Sequence, residues 1–206
     1  MTTDPTRRRV VLATRNTHKI AELRRILTEA GVDIELVPVS AFDHVDDVVE
    51  TGLTFAQNAI LKARAVAKAT GLPVLADDSG LTVDALAGMP GVFSARWAGR
   101  HGDDVANREL VLSQLSDIPD EHLGAAFVAA AALAVPSGGV IVEEGRVPGR
   151  LVRKPRGSGG FGYDPIFVPD GHVRTLAEMS AAEKDAISHR GRAVRALATR
   201  LPEALG

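Results

Sequence analysis

Short, continuously apolar runs are the first pattern along the chain, and they predict buried strands. An alanine-rich run, residues 125–135, is ambiguous by composition because alanine favours helix. A turn-like Pro-Ser-Gly-Gly segment follows it and leads into a β-branched run, so we interpret the pair as a hairpin. The predicted strands cover residues 10–14, 34–39, 73–76, 81–86, 125–135, 140–143, 150–153 and 166–168.

Apolar residues at helical spacing form the second pattern. Asn16 or Thr17 can cap the first helix, and Thr54 with Gln57 forms the signature of a capping box at the second. The third helix is expected to turn Val105, Leu112 and Leu115 inward. Two more capping-box signatures follow at Thr175-x-x-Glu178 and Ser180-x-x-Glu183. The predicted helices end near residues 30, 70 and 115, and a last one follows residue 191.

The composition mainly excludes certain partners and certain kinds of site. A chain of 206 residues is expected to form one domain, or one domain with two lobes, over residues 10–206, after a disordered tail of residues 1–9. Its net charge of −2 offers no field to attract nucleic acid or an anionic membrane. No apolar stretch approaches the ~20 residues that span a bilayer. Cysteine is absent, which excludes disulfides and thiolate chemistry, and we expect a cytoplasmic protein.

Adjacent carboxylates, Asp77 and Asp78, close a short apolar run and precede Ser79-Gly80. We therefore expect them at the end of a strand where an open loop begins. Such a pair suits Mg²⁺, which proteins usually hold with one or two carboxylates and substrate phosphates. A plain surface turn explains the same composition.

Three predicted helix starts carry cations: Lys19, Lys184, and His189 with Arg190. The helix dipole disfavours a cation at this end, so the arrangement makes sense where both the cation and the free N–H groups face an anion such as phosphate. Solvated basic residues at capped helix starts are the alternative. Asn58 and Lys62 form an i,i+4 pair that, judged alone, is expected to be solvated.

A glycine-rich loop, residues 157–165, matches G-x-G-x-x-G. We reject a dinucleotide fingerprint because that motif follows a strand and opens a helix, whereas Pro165 comes too soon for a helix here. The glycines permit close approach of backbone N–H groups to a ligand. Phe161 within the loop is a candidate stacking surface, and a plain loop anchored by Phe161 is the alternative.

Six blocks of residues follow one another along the chain: Thr14-x-Asn16-x-x-Lys19, Glu50-Thr51-Gly52-x-Thr54-Phe55-x-x-Asn58-Ala59-x-x-Lys62-Ala63, Ala76-Asp77-Asp78-Ser79-Gly80-Leu81, Pro90-Gly91-x-x-Ser94-Ala95-Arg96, Gly159-Gly160-Phe161-Gly162-Tyr163-Asp164-Pro165 and Ser188-His189-Arg190-Gly191. With these blocks, in this order, the sequence resembles the inosine/xanthosine triphosphate pyrophosphatase family. Arg15 stands where some members carry a small residue, and Val49 stands where some carry a second carboxylate beside Glu50.

The resemblance implies hydrolysis of ITP, dITP and XTP to the monophosphate and pyrophosphate, which cleanses the nucleotide pool. It implies an α/β fold with an elongated mixed sheet, flanking helices and two lobes around a nucleotide cleft. A homodimer and a Mg²⁺ cofactor are also implied.

The resemblance further assigns roles to residues. Asp78 would accept the proton of water and bind Mg²⁺ together with Glu50, and Asp77 would support the metal or hold the loop. Lys19 and Lys62 would neutralise the triphosphate. Phe161 would stack on the base, and Asp164, Lys184, His189 and Arg190 would read it. The remaining predicted substrate-binding residues are Thr14, Arg15, Asn16, Thr17, His18, Asn58, Ser79, Gly162 and Tyr163.

Base selection would depend on the 6-position. Hypoxanthine and xanthine carry an acceptor there and adenine a donor, so a pocket with donors from His189 and Arg190 disfavours adenine. GTP shares the 6-oxo group, so its exclusion must involve the 2-position. Two alternatives stay open. One is a pyrophosphatase for canonical or modified pyrimidine nucleotides, which needs the same carboxylates and lysines but a different base pocket, and the other is a nucleotide-binding module without hydrolysis. The carboxylates argue against the module, since a pure phosphate binder needs none.

Overall fold

One mixed sheet organises the computed structural model, which describes residues 8–205 apart from the side chain of His18. Its strand order is β2-β1-β3-β4-β5-β6. The strands are β1 (Arg8–Leu12), β2 (Ile34–Pro38), β3 (Val74–Val83), β4 (Gly124–Ala134), β5 (Val140–Leu151) and β6 (Phe167–Pro169). The helices are α1 (Thr17–Glu29), α2 (Phe55–Thr70), α3 (Asp104–Gln114), α4 (Ala181–Ile187), α5 (His189–Ala198) and α6 (Leu201–Leu205). The expected α/β architecture with a mixed sheet and flanking helices is confirmed.

Helical crossovers explain the parallel part of the sheet. β1 pairs in parallel with both β2 and β3, and parallel strands need a long connection, here supplied by α1 and α2. β1 begins at Arg8, two residues before the predicted start, so Arg8 and Arg9 belong to the sheet. Residues 1–7 of the predicted tail lie outside the described residues.

β3 is one unbroken strand of 10 residues that runs through Asp77-Asp78-Ser79-Gly80. The predicted strand end and open loop at Asp77 are therefore wrong. Asp and Gly are depleted in strands, because β-branched and aromatic side chains fit the pleated, half-buried surface better. Here both carboxylates are buried and paired, and a Cβ at Gly80 would collide with Ser94. Burial and pairing thus outweigh the turn propensity.

The β4–β5 hairpin is confirmed, and β5 extends to Leu151, so it absorbs the start of the strand expected at residues 150–153. β6 pairs with β5 in the antiparallel direction. The alanine-rich β4 is almost wholly buried, which explains its composition: small side chains allow elements to pack closely on the sheet.

Within the described residues the chain divides into two compact units. Unit 1 contains the chain up to Asp78, Ala130–Glu144 and the segment from Gly191 onward. Its core includes the fully buried Val10 and Val11 of β1, with Ala59 of α2. Unit 2 contains Ser79–Ala129 and Gly145–Arg190. Its core is one cluster built from Leu81, Val83, Val111, Leu115, Phe127, Ile166, Phe167 and Leu176 among others.

Two predictions about helices need correction. Gln57 donates its backbone N–H to Thr54 Oγ1, but its side chain accepts from the backbone of Leu53, so the expected capping box at α2 is only half formed. Val105 is 54% exposed rather than inward. The buried positions of α3 are Asn107 and Val111, and at about 100° per residue Val105 lies on the far side from Asn107.

The two later capping boxes are confirmed. They form at Thr175 with Glu178 and at Ser180 with Glu183, although the first serves only a short 3₁₀ turn. The last predicted helix was expected after residue 191, but α5 begins earlier, at His189. None of the described helices combines the length and the apolar character that a membrane span requires.

The N-cap of α2 provides a test of local stability. Thr54→Ala removes the acceptor for the Gln57 N–H, and we expect a loss of about 1 kcal/mol in the free energy of unfolding. Thr54→Ser keeps the hydroxyl and should remain close to the wild type. Urea unfolding of the three proteins measures this. Equal losses in both variants would show that the methyl group, and not the cap, matters.

Candidate functional site

Unit 1 holds a carboxylate–lysine cluster, defined here as Lys19, Glu50, Lys62, Asp77 and Asp78. Lys19 Nζ lies 3.2 Å from Asp77 Oδ2. Lys62 Nζ lies 2.7 Å from Glu50 Oε1 and 3.4 Å from Asp78 Oδ1. Four separate parts of the sequence, predicted as one site, therefore meet in space.

Asp77 and Asp78 bind different lysines because β3 is extended at this point. Neighbouring side chains of a strand point to opposite faces of the sheet. Asp77 accordingly pairs with Lys19 of α1, whereas Asp78 pairs with Lys62 of α2. The two carboxylates therefore have different ionic partners.

Asn58 is fully buried, so the expectation that it is solvated is wrong. Its Nδ2 donates to Asp78 Oδ2 at 3.1 Å, and its Oδ1 accepts from the backbone N–H of Gly52 at 2.7 Å. Lys62, one helical turn later, also faces the cluster with only 13% of its side chain exposed. The i,i+4 spacing placed both on one helix face, and that face packs on β3.

Burial sets the electrostatics of Asp78. Desolvation raises the pKa of Asp78, and nearby Glu50 adds to the rise, while Lys62, Lys19 and the Asn58 amide oppose it. Burial alone would lower the pKa of Lys62, but the charges of Asp78, Asp77 and Glu50 outweigh it and raise that pKa. The cluster therefore contains a firmly charged ammonium beside a carboxylate that accepts a proton more readily than usual.

The oxygen ligands of this cluster fit a hard divalent cation. Lys62 Nζ contacts both Glu50 and Asp78, which shows that the two carboxylates can share one cationic partner. No group of three or more metal-type side chains occurs among residues 8–205. Mg²⁺ needs no such group, because it is usually held by one or two carboxylates with waters and substrate oxygens.

The loop between β1 and α1 carries three of the predicted binding residues, and Thr17, a fourth, is the first residue of α1 itself. Asn16, rather than Thr17, caps α1: its Oδ1 accepts from the backbone N–H of Lys19. Thr14 Oγ1 accepts from the backbone N–H of Asn16. Arg15 extends to the segment that precedes α2, where it donates to Asp47 and to the carbonyl of Val45. His18 lies in α1, and its side chain is outside the description.

Unit 2 holds a second set of predicted residues around the Phe161 ring. Lys184 Nζ lies 4.6 Å from the ring centroid, and the Arg190 guanidinium carbon lies 5.8 Å from it. Lys184 also pairs with Asp164 Oδ2 at 2.6 Å, and the same oxygen accepts the backbone N–H of Phe161 at 2.8 Å. We call Phe161, Asp164, Lys184 and Arg190 the Phe161 group.

His189 and Arg190 are buried, so the alternative of an exposed basic helix start is wrong. The His189 ring stacks on Phe127, with centroids 4.7 Å apart and planes 10° from parallel. Arg190 Nη2 donates to Ser79 Oγ at 2.8 Å. The Ser79 hydroxyl, predicted to bind substrate, thus accepts a hydrogen bond from a guanidinium in this structure.

Tyr163 anchors the glycine loop in the core of unit 2. Its side chain is buried, and its hydroxyl donates to the carbonyl of Ser94 at 2.8 Å. Burial raises the pKa of Tyr163 far above its ordinary value of 10.0, and the charge of Asp104 adds to this while Arg108 opposes it. Gly162 beside it adopts a left-handed φ of +62°.

The chain is similar to known proteins over most of its length. The model of the Ham1 family matches residues 10–200. A relative named dITP/XTP pyrophosphatase from Streptomyces coelicolor is 61% identical over 96% of this chain and 99% of its own length. A relative of the same name from Mycobacterium tuberculosis is 56% identical over 92% of this chain and 93% of its own length.

Solved structures give the same result. The crystal structure of a nucleoside-triphosphatase / dITP/XTP pyrophosphatase from Mycobacterium abscessus is 56% identical, with a TM-score of 0.76, and the match covers 94% of this chain and 99% of that one. A HAM1 protein from Coxiella burnetii is 45% identical, with a TM-score of 0.86, and the match covers 95% and 99%.

Ionisation of Tyr163 tests how the glycine loop is anchored. It is the only tyrosine of the chain, so phenolate absorbance reports its pKa directly. We expect the pKa of Tyr163 in the native protein to lie well above its pKa in the denatured protein, which should be about 10. A raised native pKa means that its contribution to stability is present below pH 10 and is lost as the pH rises further. Superimposed native and denatured titrations would contradict the burial of the hydroxyl.

Proposed function

The chain belongs to the Ham1 family, and we propose that it hydrolyses the non-canonical purine nucleoside triphosphates ITP, dITP and XTP to the monophosphate and pyrophosphate. The observation that carries the proposal is the buried Asp78, held beside Lys62 and Asn58. The names of the relatives support the substrate class. The reaction would cleanse the nucleotide pool.

In the proposed reaction a water oxygen bonds to the α-phosphorus, and the bond from that phosphorus to the bridging α–β oxygen breaks. Pyrophosphate leaves with the electron pair of the broken bond. Asp78 accepts the proton of the water, and its raised pKa suits it to this task. Lys19 and Lys62 balance the charge of the phosphates, since catalysis of phosphoryl chemistry consists mainly of positioning and charge stabilisation.

We propose Mg²⁺ as the cofactor, with Asp78 and Glu50 as the protein ligands. A bound Mg²⁺ would supply charge neutralisation at the phosphate oxygens. Asp77 then has a supporting role, because it is paired with Lys19 rather than with Lys62. Asn58 holds Asp78 from the other oxygen and fixes the orientation of the carboxylate.

In this proposal, residues of unit 2 bind the base. Phe161 supplies the stacking face, and base–aromatic stacking is worth about 1–3 kcal/mol. His189 and Arg190 donate to the 6-oxo group of hypoxanthine or xanthine. Adenine presents a donor there, so the buried donors would stay unpaired, and such mismatches can cost orders of magnitude. The stack on Phe127 and the bond to Ser79 hold these donors in place.

A homodimer and a cytoplasmic location complete the proposal. The homodimer follows from the family resemblance, and the cytoplasmic location follows from the composition, because the absence of cysteine fits a reducing compartment. Sedimentation analysis of the purified protein measures the first, and fractionation of the source cells measures the second.

A panel of nucleoside triphosphates tests the proposal as a whole. ITP, dITP, XTP, the common nucleotides and modified pyrimidine nucleotides are incubated with Mg²⁺ or with a chelator, and pyrophosphate and orthophosphate are measured separately. We expect pyrophosphate from ITP, dITP and XTP, and none in chelator. Orthophosphate would rule out attack at the α-phosphorus. Preferred hydrolysis of pyrimidine nucleotides would favour the alternative enzyme, and no release at all would favour a binding module.

Asp78→Asn tests the proton acceptor. The amide keeps the size of the side chain but cannot accept the proton, so we expect kcat to fall by roughly 10²–10⁴-fold. Nucleotide binding, measured by calorimetry, should stay largely intact. Asp77→Asn is the matched control and should retain more activity, because Asp77 binds the other lysine. Near-wild-type turnover of Asp78→Asn would remove Asp78 from this role.

Arg190→Ala tests the reading of the base. We expect kcat/KM for ITP to fall by roughly tenfold to hundredfold while the slow hydrolysis of ATP changes little. Because Arg190 is buried, urea unfolding of the variant checks the fold. Ser79→Ala, which keeps the guanidinium but removes its partner, should give a smaller loss. An unchanged ratio of ITP to ATP rates would mean that the base is read elsewhere.

A further inference from the structure

Gly162 separates the ring that the proposal assigns to base stacking from the side chain that anchors the loop. Phe161 precedes it and the buried Tyr163 follows it. Its φ of +62° is left-handed, a region that favours glycine, while a Cβ there would meet nothing within 4 Å. Glycine is thus required by backbone conformation rather than by space. Because glycine populates many backbone conformations at similar cost, bonds from other residues are needed to keep it in this one.

Two side chains of α3 supply those bonds. Asp104 Oδ2 accepts the backbone N–H of Gly162 at 2.7 Å. Arg108 Nη1 donates to the backbone carbonyl of Gly162, also at 2.7 Å. The two residues are four positions apart, so they lie on one face of the helix. We name the pair Asp104 and Arg108 the α3 clamp.

The α3 clamp holds the peptide groups on both sides of Gly162. The N–H belongs to the peptide that joins it to Phe161, and the carbonyl belongs to the peptide that joins it to Tyr163. Hydrogen bonds with one charged partner are about twice as strong as neutral ones, and both bonds here are of that kind. Both contacts are partly buried, which limits screening by solvent.

Other bonds of the loop act together with the clamp. The N–H of Phe161 donates to Asp164 Oδ2, its carbonyl accepts the backbone N–H of Asp164 at 3.2 Å, and Tyr163 is fixed through Ser94. Lys184 sits over the face of the ring. The peptide between Phe161 and Gly162 belongs to the backbone that carries the ring, and Asp104 is the side chain of α3 that binds its N–H.

We propose that Asp104 and Arg108 are positioning residues that hold Phe161 in the orientation in which it stacks on the substrate base. The inference rests on the proposed function and adds to it the part of the fold that determines base affinity. α3 acts through the backbone and does not touch the base.

Arg108→Met provides the main test, because it keeps the length of the side chain and removes the donor. We expect KM for ITP to rise by roughly fivefold to tenfold, the loss of about one hydrogen bond, with kcat within about twofold. Inhibition by inorganic pyrophosphate should be unchanged, since the proposal assigns the phosphates to unit 1. Arg108→Lys should recover part of the affinity. Asp104→Ala should raise KM in the same direction.

Arg153→Met is the matched control. Arg153 also lies in unit 2 and donates to Asp120 and to the carbonyl of Leu115, but it belongs to another part of the unit. Its removal should lower the free energy of unfolding without changing KM for ITP. If Arg153→Met raised KM as much as Arg108→Met does, the effect of the α3 clamp on KM would be explained by a general loss of stability. That result would overturn the inference.

A double-mutant cycle with Phe161→Leu decides whether the effect passes through the ring. If it does, Arg108→Met causes no further rise in KM once Phe161 is replaced. Provided that the wild type releases pyrophosphate from ITP, two results would overturn the inference. One is that the effects of the two substitutions on KM are additive, and the other is that Arg108→Met alone leaves KM unchanged. A wild type that releases none would instead overturn the proposed function, and the positioning role with it.

Discussion

Buried negative charge in the middle of β3 is the constraint on which unit 1 depends. Removing a carboxylate from water is costly unless a cation or hydrogen-bond donors replace the water. Asp77 and Asp78 meet this condition on opposite faces of the strand, through Lys19 on one helix and Lys62 with Asn58 on the next. The positions of α1 and α2 on the sheet are therefore tied to the same residues that we propose for catalysis.

The sequence predicted the site more fully than it predicted the local backbone. Helical spacing correctly placed Asn58 and Lys62 on one face, and the capping signals located the starts of α2 and α4. The strand break at Asp77 was wrong, because turn composition is a local signal and the partners that keep the strand extended are remote. Asn58 is 20 positions from Asp78, so its burial could not be inferred from neighbours in the sequence.

Contacts to backbone atoms are the part that sequence reasoning missed. Asp104 and Arg108 carry ordinary charges on a helix whose outward face is exposed, and nothing in their spacing separates a solvated pair from one that binds Gly162. Tyr163 was predicted as a binding residue, but its hydroxyl serves the fold by donating to Ser94. Such roles depend on where a loop passes, which no periodicity encodes. The composition identified the glycine loop, whereas the contacts that anchor it are seen only in the three-dimensional structure.

Lys62 has a consequence for the kind of anion that unit 1 can accept. Its ammonium already has two anionic partners, Glu50 and Asp78, so an arriving anion must compete with them for the same cation. Binding is then an exchange of ionic partners rather than the neutralisation of a bare charge. Weak anions such as chloride or acetate gain little from such an exchange. A polyphosphate with its own divalent cation would supply a replacement partner to the carboxylates when it binds the lysine. The arrangement therefore suits the metal complex of a nucleotide, as proposed above, better than it suits simple salts.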